Sequence, residues 1–132
     1  MWITKDNINE FTYGDTMYCS GKGITHIEYI PDGITGLDCN NNQLTKLPKL
    51  PDGLIRLNCY VNKLTELPKL PESLINLDCD NNRLTSLPKL PESLTRLYCE
   101  DNNLPYEITI DNYKEKHNTL LKRKQILSKI CG

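Results

Sequence analysis

The sequence predicts an α/β repeat solenoid: an arc of about five stacked turns, with a parallel sheet on its concave face, an extended, polyproline-like convex side and a C-terminal capping helix. Three observations carry this expectation. Five of the six cysteines, Cys19, Cys39, Cys59, Cys79 and Cys99, stand 20 residues apart, and a fixed period of this size marks a solenoid. Leu37, Leu57, Leu77 and Leu97 precede cysteines by two residues, Leu44, Leu64, Leu84 and Leu104 follow them by five, and residues 61–80 and 81–100 are identical at 13 of 20 positions. Pro31, Pro51, Pro71 and Pro91 share one phase and Pro48, Pro68 and Pro88 another, which forbids an α-helix on that side of every turn.

Each piece of a turn follows from its residues. Leu37-Asp38-Cys39 alternates apolar and polar, the pattern of a half-buried strand. Asn40 to Asn42 leave the strand, because Asn clusters favour turns. Leu47-Pro48-Lys49-Leu50-Pro51 takes an extended path, since two prolines three apart suit a polyproline-like return. Leu37, Cys39, Leu44, Leu47, Leu50 and Leu54 point inward. Six such side chains do not offset the ordering of 20 residues, so a lone turn does not fold and the turns must stack.

The chain reads as a single domain of 1–132 with four parts. Residues 1–13 carry Trp2, Ile3, Ile8, Phe11 and Tyr13 and are expected to cap the first turn. Residues 14–33 form a degenerate turn, in which Ile24, Ile27 and Ile30 keep the inward phase and Lys22 stands where later turns have Asn. Regular turns fill 34–104. Residues 105–132 form a helical cap: Asn112 with Glu115 three residues on is a capping-box pattern, and Tyr113, His117, Leu120, Leu121, Leu127 and Ile130 make an apolar stripe. Lys122, Arg123, Lys124 and Lys129 fall where the helix dipole favours cations.

Leu-x-x-Leu-x-Cys-x-x-Asn-x-Leu, as in Leu74 to Leu84, resembles the leucine-rich-repeat signature with Cys in one leucine slot. The Leu-Pro-x-Leu-Pro continuation is similar to the short 20-residue repeats of secreted bacterial effectors, and similar repeats occur in proteins of large DNA viruses of amoebae. The resemblance is strong over 34–104 and weaker over 14–33. It implies a leucine-rich-repeat arc, an Asn side chain bonded to the backbone of the adjoining turn, a partner site on the concave sheet face, and an effector or host-interaction role.

Composition narrows the function classes. Sixteen Lys and Arg against seventeen Asp and Glu leave a net charge of −1, which disfavours tight nonspecific nucleic-acid binding. No apolar run is long enough for a membrane helix, and the N-terminal residues lack the pattern of a signal peptide, so a cytoplasmic, intracellular protein, in a host cell if the effector role holds, is expected. The ladder cysteines are expected to be reduced, buried and inert, because strand spacing of about 4.8 Å exceeds what a disulfide wants. Zinc-ligand spacing, a phosphate loop and nucleophile motifs are all missing; no metal, no cofactor and no catalytic residue is predicted. An enzyme of the ubiquitin-ligase kind would need Cys131 as a nucleophile, and the tail lacks any base or orienting group beside it.

The expected function is protein–protein interaction through the sheet face. Alternation exposes three columns there. Tyr18, Asp38, Asn58, Asp78 and Tyr98 follow the inward Leu; Ser20, Asn40, Tyr60, Asp80 and Glu100 follow Cys; Thr16, Gly36, Arg56, Asn76 and Arg96 precede Leu. These positions vary most between otherwise similar turns. The candidate partner-binding residues are Tyr18, Asp38, Asn40, Arg56, Asn58, Tyr60, Asn76, Asp78, Asp80, Arg96, Tyr98 and Glu100. Tyr60, Tyr98, Arg56 and Arg96 lead, because Tyr and Arg dominate interface hot spots. The competing reading is a structural protein that self-associates through solenoid ends or a sheet edge.

Overall fold

A computed structural model describes the backbone of residues 1–131 and the side chains of residues 1–129. Eight short strands wind through the chain: β1 (Trp2–Ile3), β2 (Thr12–Tyr13), β3 (Thr16–Tyr18), β4 (His26–Ile27), β5 (Gly36–Asp38), β6 (Arg56–Asn58), β7 (Asn76–Asp78) and β8 (Arg96–Tyr98). A 3₁₀ turn covers Ile8–Glu10, a π-helical segment Tyr113–Asn118, and α1 runs Thr119–Cys131. The main sheet has the order β2-β3-β5-β6-β7-β8. From β3 onward it is parallel and the register advances one repeat per strand, so Met17, Leu37, Leu57, Leu77 and Leu97 stack in one row.

The inward set predicted from one turn is the core. Leu37, Cys39, Leu44, Leu47, Leu50 and Leu54 are all buried, and the same phases repeat through Leu94. The Leu-Pro-x-Leu-Pro return path forms no helix. The Asn phase ties adjacent turns together. Asn62 Oδ1 accepts from Leu44 N–H at 3.0 Å, and its Nδ2 donates to Cys39 O at 3.0 Å and Cys59 O at 3.1 Å. Asn82 repeats these bonds one turn on. Asn42 reaches back to the degenerate turn, accepting from Lys22 N–H and Ile24 N–H and donating to Cys19 O. The turn that lacks its own Asn is thus served by its neighbour's. A buried amide with every donor and acceptor matched stabilises, whereas an orphaned one is costly.

The bend after each strand places one residue in the left-handed region. Gly21, Asn41, Val61, Asn81 and Asp101 have φ of 64°, 58°, 56°, 56° and 55°. Gly, Asn and Asp tolerate this conformation; a β-branched Val does not.

Residues 1–13 lie against the first turn. Ile3, Ile8 and Phe11 are buried in the core, β1 pairs with β4 on the return side, and β2 closes a hairpin on β3. Trp2 and Tyr13, expected among the apolar cap, are exposed: Trp2 stacks on the His26 ring at 4.3 Å between centroids, and Tyr13 lies beside Tyr18.

The C-terminal end departs further from expectation. Asn112 makes no capping bond to the helix. Its Oδ1 accepts from Thr109 N–H at 2.9 Å and its Nδ2 donates to Glu107 O, so the side chain closes the preceding loop. The helix also does not shut the solenoid alone. Ile108 is buried over the sheet side and takes the Cys99 thiol hydrogen at 3.1 Å, as the next turn's carbonyl takes it from Cys39. On the return side Tyr113 continues the repeat chemistry. Ser73 Oγ donates to Asp52 O and Leu54 O, Ser93 Oγ to Glu72 O and Leu74 O, and Tyr113 Oη, again 20 residues on, bonds to Pro91 O, Glu92 O and Leu94 O. Asn118 pairs with both N–H and C=O of Leu90. Of the predicted stripe, Tyr113 and His117 are buried and Leu120 and Leu121 half-buried, but Leu127 is 58% exposed; the side chain of Ile130 lies outside the described residues. The helix docks by its first turns and then runs past the end of the solenoid.

Candidate functional site

The strands deliver the predicted face in register. Tyr18, Asp38, Asn58, Asp78 and Tyr98 are Cα partners along one column, and Gly36, Arg56, Asn76 and Arg96 along the next. Exposure is uneven. Tyr98 is 51% and Tyr18 47% exposed, and Arg96 and Glu100 are also exposed. Asp38, Asn40, Arg56, Asn58, Tyr60, Asn76, Asp78 and Asp80 are half-buried.

The middle of the face is tied to itself. Arg56 Nη2 meets Asp38 Oδ2 at 3.3 Å, and Asn58 Nδ2 donates to Asp38 Oδ1 at 2.8 Å. Three of the twelve candidates therefore form one network. Gly36 accommodates it: a Cβ there would stand 2.7 Å from Arg56 Nη2, so a larger residue would push the guanidinium from this place across β5. Arg56 Nε and Asn76 Oδ1 are buried without a hydrogen-bond partner. The last turns carry an acidic cluster. Asp80 N–H donates to Asp78 Oδ1, and Asp80 Oδ1 accepts from Glu100 N–H at 2.6 Å. Burial is the main cause that raises the Asp78 pKa; the Asp80 N–H bond opposes it, and the Asp80 charge adds to it.

Ile55 and Ile75, outside the three predicted columns, are also exposed on this side. At each strand entry two N–H groups share one carbonyl: Ile55 N–H and Arg56 N–H both donate to Thr35 O, and Ile75 N–H and Asn76 N–H both donate to Ile55 O. Ile55 and Ile75 thus sit just before the strands that begin at Arg56 and Asn76, and their side chains stay exposed. With Thr16, Gly36, Arg56 and Asn76 these isoleucines line a shallow groove of about 310 Å³. The available signal was the second apolar residue in Leu54-Ile55 and Leu74-Ile75, since a run that buries Leu and resumes alternation at Leu57 or Leu77 leaves no inward slot for it.

The thiol ladder is a core feature. Cys19, Cys39, Cys59, Cys79 and Cys99 are free and buried. Burial is the first cause that pushes their pKa values up, to about 12 for Cys19 and about 11 for Cys99, and well above the ordinary value for the three between. Thiols held protonated are poor nucleophiles and poor metal ligands. Among the described residues no group of three or more His, Cys, Asp or Glu is placed to hold a metal ion, and no helix is long and apolar enough to cross a membrane. The side chain of Cys131 lies outside the described residues.

No protein-family model and no curated protein sequence matches the chain. Among solved structures it is similar to YopM from Yersinia enterocolitica, with 30% sequence identity and a TM-score of 0.59 over 71% of this chain. The chain spans about a quarter of the length of that protein, the match covering 25% of it. The turns of about 20 residues are common to both.

Proposed function

We propose that this chain, a leucine-rich-repeat solenoid of the short 20-residue class, is a non-catalytic protein-binding module whose partner sits on the sheet face. One observation carries the reading: Tyr18, Tyr98 and Arg96 stand exposed on a sheet whose rows are fixed by the Leu, Cys and Asn ladders beneath them. Aromatic and Arg side chains on a preorganised surface supply binding energy at little ordering cost. Ile55 and Ile75 add an apolar strip beside them. The mechanism is noncovalent capture, and the likeness to YopM favours a host-interaction role inside a host cell.

Affinity capture from host-cell lysate tests this, comparing the wild type with a Tyr18→Ala, Arg96→Ala, Tyr98→Ala variant of equal fold and stability. A protein retained by the wild type and lost by the variant supports the face; equal retention by both removes it.

A second reading, self-association, rests on β8. Cys79 N–H and Asn81 N–H donate to Tyr98 O and Glu100 O of the next turn. Among the described residues the equivalent N–H groups of Cys99 and Asp101 have no backbone acceptor, and no strand pairs with the outer edge of β8. Such an edge is a template for another strand. A mass that rises with concentration in sedimentation, and falls when Cys99 to Asp101 are altered, would favour this reading over capture of a different protein.

A further inference from the structure

A concavity of about 820 Å³ lies away from the sheet face, between α1 and the return path of the last regular turn. Its floor is aliphatic, with Leu87 from the solenoid and the half-buried Leu121 from the helix. Its walls carry Lys89, Lys114, Lys122 and Lys124 against a single carboxylate, Glu92, so the lining is +3. Glu92 is already engaged by Lys114 Nζ at 3.2 Å. Among the described residues the other three lysines have no carboxylate within ion-pair distance. They project from two different elements toward one cleft.

We infer that this cleft is a docking site for a short acidic peptide segment of a partner protein, its carboxylates meeting Lys89, Lys122 and Lys124 and an aliphatic side chain resting on Leu87 and Leu121. The charge pattern selects this occupant. A cleft of +3 over an apolar floor complements a segment that mixes carboxylates with leucine-like residues. A nucleic acid fits worse on two counts. The lining offers no aromatic ring on which a base could stack, and residues 1–104 carry ten positive and fourteen negative charges, −4, which repel a polyanion running on along the solenoid. The site is independent of the sheet face, so either can fail without the other.

The test is fluorescence polarisation of a labelled Glu-Glu-Leu-Leu-Glu-Glu peptide on the full chain. Three variants accompany the wild type: Lys122→Glu with Lys124→Glu on the helix, Lys89→Glu on the solenoid, and the Tyr18→Ala, Arg96→Ala, Tyr98→Ala face variant. Circular dichroism first establishes that each is folded. The expected result is saturable binding that weakens by about tenfold or more in both lysine variants, as reversal of a contacting charge does, and holds in the face variant. Amide resonances of Leu87 and Leu121 shift on titration. Equal binding by wild type and lysine variants overturns the inference. So does no binding up to about 1 mM, the weak end of measurable affinity, or equal binding of a labelled oligothymidylate.

Discussion

Replacing Val61 by Asn should stabilise the protein, although it removes an apolar side chain. Val61 has φ of 56° in a bend where the equivalent residues are Gly21, Asn41, Asn81 and Asp101. An L-residue in the left-handed region costs about 1–2 kcal/mol, and a β-branched one has no local hydrogen bond to offset it. The side chain is 41% exposed, so its burial is worth only part of the roughly 1.5 kcal/mol a fully buried Val contributes. Asn recovers most of the strain, and the net gain expected is about 1 kcal/mol. For a chain of this size that raises the thermal midpoint by about 3–5 °C. The assay is urea unfolding followed by circular dichroism, with the slope unchanged and the midpoint raised. Asn81→Val is the reciprocal control and should lose a similar amount. If Val61→Asn proves neutral or destabilising while Asn81→Val is tolerated, the strain argument is wrong. Val61 lies next to Tyr60 at the rim of the proposed face, and strain held at such a place fits a surface kept for contact; the stabilised variant should then bind the partner more weakly.

Further outcomes follow from the ladders and the face. Asn62→Ala orphans the buried Leu44 N–H, while Cys39 O and Cys59 O keep their bonds from Asn42 and Asn82, and should cost about 2–3 kcal/mol in urea unfolding; Asn102→Ala orphans Leu84 N–H at a half-exposed site and should cost clearly less. Iodoacetamide at pH 8 should leave Cys19, Cys39, Cys59, Cys79 and Cys99 unmodified in the native protein, since burial holds those thiols protonated, and mass spectrometry should find all five labelled only after denaturation. Asp78, whose pKa is raised on folding, opposes folding while ionised. Its penalty is present at neutral pH and fades as pH falls through the raised pKa toward the ordinary carboxylate value. Asp78→Asn should therefore raise the urea midpoint at pH 7 and lose that advantage near pH 3.

The repeat was legible because it is written several times over. Any one turn reads ambiguously, but Leu37, Leu57, Leu77 and Leu97 in one phase leave a single register for the sheet, and one sheet face is then outward. The Asn phase at 42, 62, 82 and 102 was legible as a position, and its bonds follow from the stacking. The ends were less so, because a cap occurs once and has no second copy to check it. Asn112 and Glu115 match a capping box in spacing, yet the side chain of Asn112 finds Thr109 and Glu107 first. Tyr113 continues the Ser73 and Ser93 phase, but a tyrosine in a helix does not resemble a serine in a bend until the shared acceptors are seen. On the face, the sequence placed Arg56 outward and could not show that Asp38 engages it. Ile55 and Ile75 escaped for a related reason: they lie just before the strands, where two N–H groups share one acceptor and simple alternation does not apply.

Where a crosslink forms would show whether a protein partner lies on the sheet face. A photoreactive phenylalanine analogue would replace Tyr98 on the sheet face in one sample and Lys69 on the return path in another, each irradiated in host-cell lysate. A partner on that face gives a discrete protein adduct at position 98, reduced when Arg96→Ala is added, and none of that mass at position 69. The same adduct at both positions, or at position 69 alone, would contradict it.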